Sequence, residues 1–594
     1  MRRFTAASCL VAGLLVTGGS SAFAQAPEQE TPEQDNATYR HDQEILPNAI
    51  YLKGPRPKAD PSALPPAATT LPDDVKDLKA PPSLALPNQS EQVRIRELRP
   101  LTLDQALEVV EVNSPSLKAA ASRVDQAKSR LRAAISAWYP TVSLQANGFP
   151  QYFKSYRYRN PEFTRRTIPA QTGPFGQVTP ERTIDGQNEF YARQWAVNFG
   201  AAVNWNIIDP ARVPQIALAR DNFERTRDAY LIALRDLRLQ ASSGYFALQS
   251  ADEGVRVGQA SVKASLLSLR DARARFNAGV NTKLDVLEAE TQLAEDRKIL
   301  TDYLARQDLA RRQLAFLLDL PQDVTPTAAT PPQPLGLWEP SLQESIIAAY
   351  NYREELDQLI LDISINNSRA NASLAAIQPV LTFVNNWTTS RTDGQSGRGS
   401  WGAVDMDDYQ WDVSNATSLQ LRWNLYDGGR ARADYRQSKQ AAEESAFNFA
   451  SERDSIRLEV EQSFFELRKS IQNIQTTSSR VLTSRESLRL SLLRVQAGVS
   501  TQREVINNQQ DLTRAELAYT DAIRTYNTSL AELRRRTGLD ALLPCGTPNR
   551  PATKAESEIS DIPIEPTSIP SACPAVISAA DNVDGDTLPV QPLW

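Results

Sequence analysis

Histidine is almost missing from this chain of 594 residues, which holds one, His41, in a polar, proline-rich segment. Nucleophilic catalysis with a histidine base and metal sites built on imidazole therefore have almost nothing to work with. Cysteine is nearly as scarce: Cys9 lies in the N-terminal apolar run, and Cys545 and Cys573 lie in the C-terminal tail. An exported chain can pair the last two as a local staple. Beyond the N-terminus there is no run of about 18 apolar residues, so no transmembrane helix is expected. An excess of basic charge is missing too. The formal charge of −6 and a pI near 5.4 suggest neither nucleic acid nor a polybasic membrane surface as partner. The many carboxylates follow helical spacing beside Arg and Lys, which reads as solvated helix faces. No enzyme and no cofactor are expected.

The N-terminus is a secretory signal: Arg2 and Arg3, an apolar core over residues 9–16, then Ala22-Phe23-Ala24, with cleavage after Ala24. Residues 25–99 form a proline-rich, disordered linker without a sustained apolar period. The folded body divides into a first structural repeat over 100–324, a proline-rich connector over 325–340 and a second repeat over 341–540. Residues 541–594 are a proline-rich tail.

The repeat is written most plainly in two short stretches. Arg275–Leu287 reads RFNAGVNTKLDVL, and Arg494–Ile506 reads RVQAGVSTQREVI, 219 positions later without a gap. Ahead of the first, Val255, Val262, Leu269 and Phe276 step by seven; ahead of the second, Ile474, Val481, Leu488 and Val495 do the same. A seven-residue apolar step is a coiled-coil seam, and a lone glycine where it pauses marks a helix end. Each stretch is thus the tip of a helical hairpin. Ala278-Gly279-Val280-Asn281-Thr282 and Ala497-Gly498-Val499-Ser500-Thr501 are the two turns. The long arms run from about Ala211 to Asn277 and from Gly429 to Ala497, and the returns over about 282–318 and 501–537. Each long arm is about 100 Å of helix.

Between the short helices and the long ones the period changes to two. Residues 141–148 and 380–389 are strands. In 194–206, Trp195, Val197, Phe199, Ala201, Val203 and Trp205 alternate with small or polar residues, and in 417–426 Leu419, Leu421, Trp423 and Leu425 do so. That alternation fits a transmembrane β-strand with lipid outside and a polar lumen. A loop of about 44 residues between the first two strands suits an exposed barrel loop. Asp209-Pro210 and Asp427-Gly428-Gly429 mark the strand-to-helix exits, with Asp209 as a helix N-cap. Four strands cannot close a barrel, and lipid forbids open edges, so chains must associate; three give twelve strands. A coiled-coil scaffold or adhesin with no pore is the alternative reading.

The two Arg-x-x-Ala-Gly-x-x-Thr tips, the exit Trp-Asn-Leu-Tyr-Asp-Gly-Gly-Arg over 423–430 and the duplicated layout resemble the TolC family of outer-membrane efflux proteins. The resemblance covers about residues 101–539. It implies an α+β membrane protein: a homotrimeric channel-tunnel whose 12-stranded transmembrane β-barrel, four strands per chain, continues as an α-helical coiled-coil barrel through the periplasm. It implies passive export across the outer membrane, in multidrug efflux or type I secretion, with an inner-membrane RND or ABC transporter and a periplasmic adaptor protein. The tips would meet the adaptor and form the closed entrance, with Asp285, Arg503, Glu504 and Asn507 at the gate. Acids commonly stand six and nine residues after the second tip glycine in that family. Here those positions are Glu504 and Asn507, which halves the charge ring.

Overall fold

The computed structural model describes residues 64–544 apart from 83, 85, 90, 91, 93, 96, 159–165, 185–188 and 399–405. The signal sequence, the first part of the linker with His41, both tail cysteines and the tail itself lie outside the described residues.

The described chain opens with a 3-10 turn, Asp73–Leu78, and strand β1, Glu97–Leu101. Helix α1, Leu103–Asn113, starts at a capping box: the Gln105 N–H donates to Thr102 Oγ1, and Gln105 Oε1 accepts from the Thr102 N–H. Ser114 and Pro115 start α2, Pro115–Ile135. Strand β2, Thr141–Tyr158, follows, then the short strands β3 (Arg166–Ile168), β4 (Gln171–Thr172), β5 (Val178–Thr179) and β6 (Arg182–Ile184), and then β7, Glu189–Ile208. Helix α3, Arg212–Asn277, turns into α4, Lys283–Leu317. Strands β8 (Val324–Ala328) and β9 (Gly336–Trp338) lead to α5, Leu342–Tyr352, and α6, Glu354–Ala375. Strands β10 (Val380–Arg398) and β11 (Met406–Arg422), helices α7 (Arg430–Gln496) and α8 (Gln502–Thr537), and strand β12 (Leu542–Pro544) complete it.

One sequence expectation is corrected here. Residues 64–99 are not all loose linker. Val75 and Leu78, an apolar pair at i, i+3, are buried against Leu101, Val109 and Leu318, and β1 pairs in parallel with β8. Further back, the Arg238 guanidinium donates to the carbonyls of Pro65 and Pro66 (2.8 and 3.0 Å), and the Leu64 N–H donates to Gly538 O. The proline-rich connector carries short strands as well: besides β8, it holds β9, which pairs antiparallel with β12. A period-based reading misses both because these strands are short and their partners are far away in the chain.

The helices form one layer. Nearer the sheet the packing order is α2, α3, α6, α7; toward the tips α4 takes the place of α2 beside α3, and α8 that of α6 between α3 and α7. The apolar core is densest midway along the long helices. Tyr245, Phe246, Leu248, Leu314 and Leu318 fill one cluster. Ile456, Tyr526, Leu530, Leu533 and Leu356 fill the other. The Tyr245 and Tyr526 hydroxyls donate to the carbonyls of Leu101 and Gly336, so neither buried O–H is left unpaired. Burial pushes the Tyr526 phenol up to about 12. The seven-step positions are the seam as expected, with one exception: Phe276, in the last turn of α3, is 43 % exposed.

The four long strands form one antiparallel sheet in the order β11-β10-β7-β2. They have 18, 20, 19 and 17 residues in chain order, longer than expected, and absorb part of the long loop. The remainder of that loop includes two small ribbons, β3 with β6 and β4 with β5. Strand β11 stops at Arg422, so Trp423–Tyr426, expected in the strand, lies beyond it.

Candidate functional site: hairpin tips, strand exits and the sheet face

Both tips have one design. Helices α3 and α7 end with Ala278 and Ala497 as C-caps, and Gly279 and Gly498 follow at φ +76. The Gly279 N–H donates to Phe276 O and the Val280 N–H to Arg275 O; the Gly498 N–H donates to Val495 O and the Val499 N–H to Arg494 O. This is the Schellman pattern, which needs a left-handed residue. Nothing lies within 4 Å of where a Cβ would stand on either glycine, so backbone conformation alone selects glycine. Val280 and Val499 project beyond the helix ends, 75 % and 68 % exposed. Asn281 and Ser500 complete the turns.

The two tips differ in how they restart. Thr282 caps α4 with Asp285 in a capping box; Asp285 Oδ2 accepts from the Thr282 N–H (2.9 Å) and Oγ1 (2.8 Å). Thr501 precedes α8 without a side-chain cap bond. Glu504, the counterpart of Asp285, instead accepts from Arg494 (2.8 Å) and from the Ser500 hydroxyl. Asn507 is exposed one turn on. Arg503 points to the other hairpin: its guanidinium donates to Glu288, which raises its pKa, and it makes no pair with Glu504. Glu504 is thus paired with Arg494 across the turn and not with the arginine beside it in sequence.

The hairpins are stitched together by polar contacts that the sequence reading missed. Arg275 donates to the Val495 carbonyl (3.3 Å), at the negative end of the α7 dipole. Gln502 donates to Ser268 Oγ (2.6 Å), Ser261 shares a hydrogen bond with Thr513 (3.1 Å), and Gln510 donates to Gln292. Gln292 and Ser265 both donate to Asp296, a carboxylate only 1 % exposed between α3 and α4. The Arg shared by the two motifs hinted at Arg275; nothing in the spacing marks Glu288, which owes its role to the neighbouring hairpin, or Asp296, which owes its role to the packing of α3 on α4.

At the strand exits, Trp205 Nε1 donates to Trp138 O (3.0 Å) and Trp423 Nε1 to Ile377 O (3.1 Å). Each indole ties the end of a strand to the end of the preceding short helix. Asp209 does not cap α3, which starts two residues past Pro210 with Ala211 at its N-cap; Asp209 Oδ1 accepts from the Ala211 N–H (3.1 Å) and so closes the turn before the helix. Asp427 accepts from the Ala431 and Gly429 N–H groups (2.7 and 2.9 Å). Those bonds, Ala431 foremost, hold its carboxyl below the usual range. Gly428 and Gly429 stand at φ +75 and +90.

The sheet has two unlike faces. Trp205, Val203, Phe199 and Trp195 of β7 stand on one, in register with Phe383 and Trp387 of β10; these lie opposite Leu419 and Asn415 of β11, and Val142, Leu144 and Tyr152 of β2 complete the face. Among the polar residues on this face, Asn385 donates to Asn415 and Thr417 (2.8 and 2.7 Å), so these groups satisfy one another, and Thr389, Arg391 and Asp393 follow toward the Trp195 end. The opposite face carries Ser143, Gln145, Asn204, Asn198, Asn386, Thr388, Ser414 and Gln420. Among the described residues, no helix is long and apolar enough to cross a membrane and no acid/His/Cys group could hold a metal ion.

A sheet with one apolar, aromatic-edged face, set on helices built as long hairpins, defines an outer-membrane channel protein. The chain belongs to the outer membrane efflux protein family, whose model matches residues 106–319 and 348–539. No curated protein matches the sequence. Solved structures share the fold. A membrane protein from Pseudomonas aeruginosa superposes with a TM-score of 0.56 at 17 % identity, over 81 % of this chain and 99 % of that one. The outer membrane protein VceC of Vibrio cholerae gives 0.55 at 14 % identity, over 74 % and 96 %. The Neisseria gonorrhoeae MtrE outer membrane channel gives 0.54 at 15 % identity, over 81 % and 100 %.

Proposed function

We propose that this outer-membrane efflux channel works as a homotrimeric, passive channel-tunnel, in which three four-stranded sheets close into a 12-stranded barrel and the helices continue it through the periplasm. The observation that carries the reading is the open sheet. Strands β2 and β11 are its two edges, and the apolar face requires lipid around it. From Trp205 to Trp195 the band is ten residues long, which at about 3.3 Å per residue and a tilt near 40° gives about 25 Å, the height of a barrel's apolar belt. The small and amide-bearing opposite face suits a water-filled lumen. Both halves of the chain follow the same order of short helices, two strands and a long hairpin, which supports an internal repeat.

In this reading the tips face a periplasmic adaptor, and an inner-membrane RND or ABC transporter supplies the energy, for drug efflux or type I secretion. The exposed valines at two glycine turns suit contact with a partner hairpin. Asp285, Arg503, Glu504 and Asn507 line the narrow end, which the Arg503–Glu288 and Arg275–Val495 contacts hold closed. The test is purification: the protein should need detergent, migrate as a trimer and give a small, stable conductance in planar bilayers. A monodisperse monomer extracted without detergent would overturn the reading in favour of a scaffold without a pore.

A further inference from the structure

On the apolar face, one register step beyond Tyr152 and Trp195, Lys154 stands directly opposite Arg193, and Gln395 flanks Arg193 on its other side. The rings of Tyr152 and Trp195, 5.0 Å apart, fix the face on which this row lies. Lys154 and Arg193 are exposed, and both also engage groups of the chain itself. On the next strand, the Arg391 guanidinium lies 5.1 Å over the ring of Tyr409, which shares the Trp195 row. Arg391 belongs to the row below, so its side chain rises along the strand toward the rim. Asp393, the carboxylate of the Trp195 row, stands 3.8 Å from Arg391.

We propose that this rim binds the phosphates of a phosphorylated glycolipid, of the diglucosamine lipid A class, in the outer leaflet. The proposal rests on the membrane reading above, in which the end of the sheet away from the helices faces outward. The aromatic row marks where hydrocarbon ends, so the next row stands at headgroup depth. Cations placed directly opposite each other repel, and a shared anion relieves that repulsion. A phosphate accepts the guanidinium fork of Arg193 and a point charge from Lys154 together, while Arg391 is within reach of a second phosphate on the same headgroup. A neutral headgroup offers none of this.

The experiment uses the full-length protein in lipid nanodiscs, with bound lipid counted by native mass spectrometry during titration with lipid A or its dephosphorylated form. The wild type should retain lipid A and not the dephosphorylated lipid. Lys154→Gln with Arg193→Gln should weaken retention about tenfold, and Arg157→Gln, three residues along β2 on the opposite face, should leave it unchanged. Equal retention of the two lipids, or an unchanged double variant in an embedded protein, overturns the rim assignment alone. Recovery of the protein from cells without detergent removes the membrane reading and the proposal with it.

Discussion

Glu504 is the acid whose setting differs most from what its position in the chain suggests. It stands at the tip of the second hairpin, tied to Arg494 and to the Ser500 hydroxyl. In the proposed trimer, three copies at the axis repel by about 1 kcal/mol per pair at 4 Å in water and about 4 at an effective dielectric of 20, and each Arg494 offsets part of this. Glu504→Gln should therefore lower cation preference in planar bilayers modestly, with the trimer intact; unchanged selectivity places the constriction elsewhere, at Asp285 or its neighbours. Asp427 makes a prediction about pH. Its folded-state carboxyl is depressed below the ordinary 3.8 by N–H donors, so it stabilises the exit turn above that value, and the contribution is lost as pH falls through the depressed one. Asp427→Ala should lower Tm at pH 7, and the difference from wild type should shrink as pH falls below 3.8. A difference that stays constant across that window would show that the charge is not the cause.

Among the elements, the hairpin tips are the most strictly determined. Gly498 is fixed by φ +76 and not by crowding, so Gly498→Ala meets only the left-handed backbone penalty of about 1 kcal/mol. Hydrogen exchange at the Val499 amide, which donates to Arg494 O at 3.0 Å, should quicken about fivefold while the middle of α7 stays protected. Equal exchange in variant and wild type would mean the turn tolerates another geometry. The contacts between the hairpins are of a different kind. Arg503–Glu288 is a surface pair whose grip weakens with salt, while the Ser261–Thr513 hydrogen bond is buried and specific, as are, inside the first hairpin, the two bonds to Asp296. This half of the helical layer is therefore held more by polar registration than by bulk, in keeping with the small apolar clusters there.

At the scale of the whole molecule, mid-length core, sheet and tips have separable roles. The core around Tyr245 and Tyr526 carries most of the buried large side chains, and Val280 and Val499 contribute nothing to it. Val280→Asp together with Val499→Asp should abolish export in cells while detergent-extracted trimers remain at wild-type levels. Export that survives both changes would move the partner contact away from the tips. One chain brings four strands and two edges to the sheet, so in the proposed trimer closure belongs to the assembly and not to the chain.

The sequence by itself determined the elements whose cause is local. Heptad steps, Ala-Gly-Val turns, capping residues and period-two alternation placed the hairpins α3–α4 and α7–α8 within a residue or two, and the tips and exits were legible for the same reason. It underestimated the four long strands, because beyond the apolar band their residues no longer alternate between apolar and polar. Tertiary structure decided what depends on partners far along the chain. Val75 and Leu78 look like linker until Leu101, Val109 and Leu318 surround them. Arg503 sits beside Glu504 in sequence, yet the other hairpin brings Glu288 to it. Asp296 reads as one more surface acid on a helix until α3 covers it. Periodicity reports which face of an element is buried; only packing determines what that face is buried against.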